Sequence, residues 1–132
     1  TAKAIERTLA VARDNGNSVA DPIHLAVVLF ENDDSIGARV CARSDGVDLN
    51  IVRRNLQKLL LKKPAQIPAP LDTSPSTSLS KLLQRATKAS KANGDALVAL
   101  DHLLIALYED SEAKGALQES LLTKKVAQAA VD

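Results

Sequence analysis

Tryptophan and methionine are missing from the 132 residues, and Phe30 and Tyr108 are the only aromatics. Bases therefore find no stacking platform, and a formal net charge of +1 gives no field to attract phosphate backbones or anionic lipid. Nucleic acid and membranes are not expected partners. Cys41 is the only cysteine, so no internal disulfide can form. Beside Ile36 and Val40 it reads as a buried reduced thiol, which points to a reducing, cytoplasmic setting. No apolar run approaches the ~18 residues of a membrane span, and no charged-then-apolar leader opens the chain. Helical periodicity is already under way at Ala4 and Ile5 after a first residue, Thr1, that is not methionine. A segment of a longer protein is expected.

What is present is a globular composition, 45% hydrophobic and 25% charged. Helical periodicity dominates. Ala4, Ile5, Thr8, Leu9 and Ala12 share one face of a first helix, which Asn15-Gly16 can end with a left-handed residue. Asp21-Pro22 reads as N-cap and first turn of a second helix. From Ile23 to Phe30 that helix is apolar almost all round, with only His24 polar, so it belongs in the middle of a core. Ser35 can cap a third helix and Asp48 a fourth, through Val52, Leu56 and Leu60 to Lys63. The stretch from Lys63 to Ser76 holds four of the five prolines and predicts an extended connector. Ser76, Thr77 or Ser78 can cap a helix carrying Leu79, Leu82, Leu83 and Ala86 that ends at Asn93-Gly94. Three more follow: about Leu100 to Glu109, Ser111 to Glu119, and one after Thr123.

Residues 3–38 slide onto 81–116 without a gap, a shift of 78 that matches ten positions identically. Asn15-Gly16 falls on Asn93-Gly94, His24-Leu25 on His102-Leu103, Glu31 on Glu109, Gly37-Ala38 on Gly115-Ala116, and Phe30 on Tyr108. One domain over 1–132 is expected: a repeat at 1–63, a connector at 64–76, and a second repeat at 77–132. Each half is small for a core, so the two should pack as a pseudo-twofold all-α globule of two four-helix units.

A doubled unit with "HLAVVLFE" and "HLLIALYED" in register resembles the amino-terminal domain of Clp-type AAA+ unfoldases, over essentially the whole chain. At Lys63-Pro64, Pro68-Ala69-Pro70, Ser74-Pro75-Ser76 and Gly94-Asp95 it is similar to the eukaryotic cytosolic ClpB-type heat-shock disaggregases. The resemblance implies a non-catalytic module that engages exposed hydrophobic segments of misfolded or aggregated proteins and passes them to ATPase rings. Unfolded proteins are then the partners, with co-chaperones or adaptors besides; the chain itself would be monomeric and its parent hexameric. A Gly-x-x-x-x-Gly-Lys-Ser/Thr loop is absent. No cofactor is expected here; ATP and magnesium belong to AAA+ modules outside this chain. The alternative is an adaptor-docking domain of a Clp unfoldase coupled to a protease.

His24 and His102 sit at matching helix starts, and a structural role there outweighs metal or base chemistry. Cys41 has no accompanying nucleophile signature. The acidic corners at Glu31–Asp34 and Glu109–Glu112 lack a calcium loop's ligand alternation and central glycine, and fit helix starts instead. Lys81, Arg85, Lys88 and Lys91 line one side of the fifth helix and read as a solvated face, with the border of a binding groove as the alternative. The repeats differ most where Val19-Ala20-Asp21-Pro22 becomes Leu97-Val98-Ala99-Leu100. That excess predicts an exposed apolar patch made by Leu97, Val98 and Leu100 with Leu79 and Leu83. Ser76, Asp95 and Asp101 are carried over from the resemblance as polar positions bordering it. Arg85 and His102 stand where the family is more apolar, which implies a shallower groove.

Overall fold

Helix α1 (Ala2–Asp14) stops where its residues say it must: Gly16, at φ 77°, donates to Arg13 O, and Asn17 N–H reaches back to Ala12 O. This computed structural model describes residues 2–68, 70, 72–92 and 100–131. The chain continues through a short strand β1 (Val19–Ala20) into α2 (Pro22–Phe30), then α3 (Ile36–Ala42) and α4 (Leu49–Leu61). After the connector come β2 (Ser74–Pro75), α5 (Thr77–Ala92), α6 (Leu100–Ala106), a 3-10 turn (Leu107–Glu109), α7 (Ser111–Glu119) and α8 (Lys124–Val131). The fold is all-α apart from β1 and β2, which pair in parallel, Val19 with Ser74 and Ala20 with Pro75. Among the described residues that two-residue ladder is the one departure from an all-helical reading, and it pins the end of the connector onto the first half. Along the chain the order of helices recurs: α1 and α5 end at Asp14 and Ala92, and α2 and α6 begin at Pro22 and Leu100.

The caps are local and sit where the side chains allow. Ala38 N–H donates to Ser35 Oγ at 3.2 Å, Asn50 N–H to Asp48 Oδ1 at 2.9 Å, Leu79 N–H to Ser76 Oγ at 3.0 Å, and Ala113 N–H to Asp110 Oδ2 at 3.0 Å. Helix α2 is the central element. Ile23, Leu25, Ala26, Leu29 and Phe30 are 2% exposed or less, and each large side chain contributes roughly 1.5–3 kcal/mol by leaving water. The same core takes Leu56 from α4, Leu79 and Leu82 from α5, Leu103 and Leu104 from α6, and Leu117 from α7, so one interior serves the whole chain. Tyr108, aligned with Phe30, is also buried, and its hydroxyl donates to Leu122 O at 2.7 Å. Burial pushes that phenol well above its ordinary pKa.

Polar contacts lock the first half to the connector. Neutral His24, fully buried, accepts Asp21 N–H on Nδ1 at 2.8 Å and donates from Nε2 to Asn17 Oδ1 at 2.9 Å. Asn17 in turn donates to Pro64 O and accepts Thr73 Oγ1–H on its own carbonyl, so it holds both ends of the connector. Gln66 N–H donates to Gly16 O at 2.7 Å. A Cβ at Gly16 would lie 3.0 Å from that oligopeptide at Ala65 and Gln66, a second reason for glycine there. His24 therefore has the structural role expected of it. Cys41 is buried as expected, and desolvation lifts its thiol to about 11.

Candidate clefts around the sixth helix

The patch expected from sequence does not assemble from its described members. Leu79 is 2% exposed and belongs to the core, so its place on an outer surface is corrected. It shares the inward stripe of α5 with Leu82 and Ala86, because positions three and seven residues on return to nearly the same side of a helix. Leu83 and Leu100 are half-buried against that core. Leu97, Val98 and Asp95 lie outside the described residues. Ser76 is half-buried and its hydroxyl is committed to capping α5. Among the described residues the exposed large apolar side chains are Val19, Ile51, Leu61, Ile67 and Leu121, none of them in the expected patch.

What the structure does bring together is a trough beside α6. A cleft of about 290 Å³ is lined by Ile36, Val40, Leu100, Ala130 and Val131, with Arg39, Arg43 and Asp101 at its edge. Its walls come from α3, the start of α6 and the end of α8. A second cleft, about 280 Å³, shares Asp101 and Val131 with the first and runs between α5, α6 and α8. Ala89 and Ile105 line it, but so do Arg85, His102 and Lys124. The first cleft is mainly apolar and the second is mixed. The polar side chains of Arg85 and His102 are therefore confined to one end of the trough. Leu83 and Ser76 line neither cleft.

Local electrostatics hold these walls. Arg43 Nη1 donates to Ala130 O at 3.0 Å, a cation at the carboxyl end of α8 where the helix dipole favours it. Asp101 sits in the first turn of α6 and accepts His102 N–H at 3.0 Å, with His102 Nδ1 3.7 Å from the same oxygen. One arrangement recurs between the halves. Arg7 meets Glu31 through Nε and Nη2 at 3.0–3.2 Å, and the aligned Arg85 lies 3.9 Å from Glu109, which Lys124 also approaches at 3.9 Å. These pairs are largely exposed and add little stability. They tie each half's first helix to the end of its second. Among the described residues no three His, Cys, Asp or Glu side chains cluster to hold a metal. No described helix is long and apolar enough to cross a membrane. The α3 and α8 walls of the trough escaped the sequence reading. Residues 36–43, 100–101 and 130–131 meet only through packing.

Comparison with known proteins gives the family of the chain and matches its fold. Residues 1–120 match the Clp repeat (R) N-terminal domain. The chain is 31% identical to Heat shock protein 100 of Trypanosoma brucei brucei over 128 residues, covering 97% of this chain and 14% of that protein. It is 31% identical to Heat shock protein 104 of Schizosaccharomyces pombe over 134 residues, covering 99% of this chain and 15% of that one. It thus spans about one-seventh of the length of these curated relatives. Among solved structures, it is similar to the Hsp104 N-terminal domain from Candida albicans, with TM-score 0.88, 25% identity, and coverage of 98% of this chain and 84% of that one.

Proposed function

Because the chain belongs to the Clp repeat N-terminal domain family, a non-catalytic domain of heat-shock chaperones, we propose that it is the substrate-receiving domain of a protein disaggregase. It engages exposed hydrophobic segments of misfolded or aggregated proteins and hands them to ATPase rings that use ATP and magnesium. The carrying observation is the mainly apolar cleft where Leu100 faces Ile36, Val40 and Val131, open to solvent and rimmed by Arg39, Arg43 and Asp101. Apolar walls reward any greasy side chain, and the few rim charges impose little sequence preference. A cleft this small buries little area, so single-site binding is weak, and a hexameric, cytoplasmic parent would gain affinity through several copies acting together.

The test is a heteronuclear NMR titration of the chain with reduced, carboxymethylated α-lactalbumin, which cannot refold. Shifts should concentrate at Ile36, Leu100 and Val131. Shifts spread evenly over the surface, with none at those residues, would remove the assignment. An adaptor-docking domain predicts instead that one folded partner binds and that the unfolded protein fails to displace it.

A further inference from the structure

Helix α7 and the turn that follows it each hold one residue ill suited to its backbone position. Gly115 sits at the middle of the helix, and a Cβ built there would meet nothing within 4 Å, so no close packing requires glycine. The aligned Gly37 is the opposite case: a Cβ there would lie 2.4 Å from the Phe30 ring. Glycine inside a helix is destabilising relative to alanine, and at Gly115 nothing inside the protein offsets that. Just past the helix, Leu121 holds φ 67°, a left-handed position that favours glycine, with its side chain 65% exposed. Gly115 lines a cleft, and Leu121 follows two residues after Glu119, the last α7 residue of its wall. The cleft holds about 260 Å³ between α4 and α7 and is lined by Asn55, Lys58, Leu59 and Lys62 on one side and Gly115, Ala116 and Glu119 on the other. The helices run antiparallel beneath it, joined at one end by Asn55 Nδ2 donating to Ser120 Oγ at 2.8 Å and at the other by Lys63 and Glu112 at 3.1 Å. Three of the five exposed large apolar side chains, Ile51, Leu61 and Leu121, lie on α4 or directly after α7. Arg54, Lys58 and Lys62 are exposed along α4 and make no ion pair among the described residues.

We propose that the α4–α7 cleft docks an amphipathic helix of a protein partner, acidic along the edge that meets α4 and carrying aliphatic anchors on its buried face. Gly115 leaves room for the incoming backbone, Leu59 and Ala116 meet its anchors, and Lys58 and Lys62 select acidic side chains. A lipid surface fits less well, because the site is concave and Glu112 and Glu119 stand on its α7 wall. This surface is separate from the trough beside α6, and either can fail without the other.

The probe is a synthetic helical peptide of about 16 residues, roughly four turns, with leucines on one face and glutamates along one edge. A control peptide replaces each glutamate with lysine. The glutamate peptide should shift Lys58, Lys62, Gly115 and Glu119 in NMR spectra of the chain, and the lysine peptide should not. Gly115→Ala should raise Tm by about 3 °C yet bind the peptide about tenfold more weakly. A variant that is more stable and binds equally well overturns the proposal. So does an absence of shifts in the cleft, a concentration-dependent dimer through this face, or attachment to phosphatidylserine vesicles without peptide binding.

Discussion

Acidification from about pH 8 to about pH 5.5 should loosen this protein through one side chain, His24. The ring is sealed in the core, and desolvation lowers its pKa against the smaller raising effect of Asp21; nearby Lys63 lowers it further. Its hydrogen bonds require the neutral form, since Nδ1 accepts Asp21 N–H while Nε2 donates to Asn17. A proton on Nδ1 would set two donors against each other. In the unfolded chain the imidazole titrates near its ordinary 6.5, so below that the unfolded state binds the extra proton and the folded state does not. Stability is then complete above about pH 6.5 and falls by up to about 1.4 kcal/mol per pH unit beneath it, until the folded pKa is reached. At about pH 5.5 the urea midpoint should drop by about 1 M or somewhat less. The assay is urea unfolding followed by circular dichroism, run beside His24→Asn, whose side-chain oxygen can still accept Asp21 N–H. That variant starts less stable by about 2–3 kcal/mol, from lost volume and a lost hydrogen bond, but it should lack the acid slope. Equal slopes in the two proteins would refute the reasoning.

Other perturbations separate packing from surface effects. Gly37→Ala should cost about 1–3 kcal/mol or more, because the methyl must displace the Phe30 ring and Leu29 O, both within 2.5 Å; an unchanged thermal melt would contradict that packing. With its thiol at about 11, Cys41 is only about 0.1% thiolate near pH 8. A disulfide reagent should label it at least about 100-fold more slowly than free cysteine, and immediately after denaturation; fast labelling of the folded chain would show that the thiol is not buried.

Helix ends and the all-α class were readable from residues alone, because caps, left-handed glycines and N-terminal proline act within a few positions. Asp21-Pro22, Ser35, Asp48, Ser76 and Asn15-Gly16 did what such residues do in any chain. The core was legible in part: α2, apolar almost all round, is marked as central before any partner is known, whereas on α5 Leu79 was expected outside and is buried. Which residues near an inward stripe stay outside is a different question. Leu79 and Leu83 are both leucines one turn apart, yet the packing of neighbouring helices seals the first and leaves the second half-covered. Two aligned glycines look alike in the sequence, and only the presence of Phe30 over one and open space over the other tells them apart. The pairing of β1 with β2 and the trough of α3, α6 and α8 likewise join residues tens of positions apart. Local chemistry settles where a helix begins and ends; which surfaces face each other, and which remain in water, is settled when distant helices compete for the same interior.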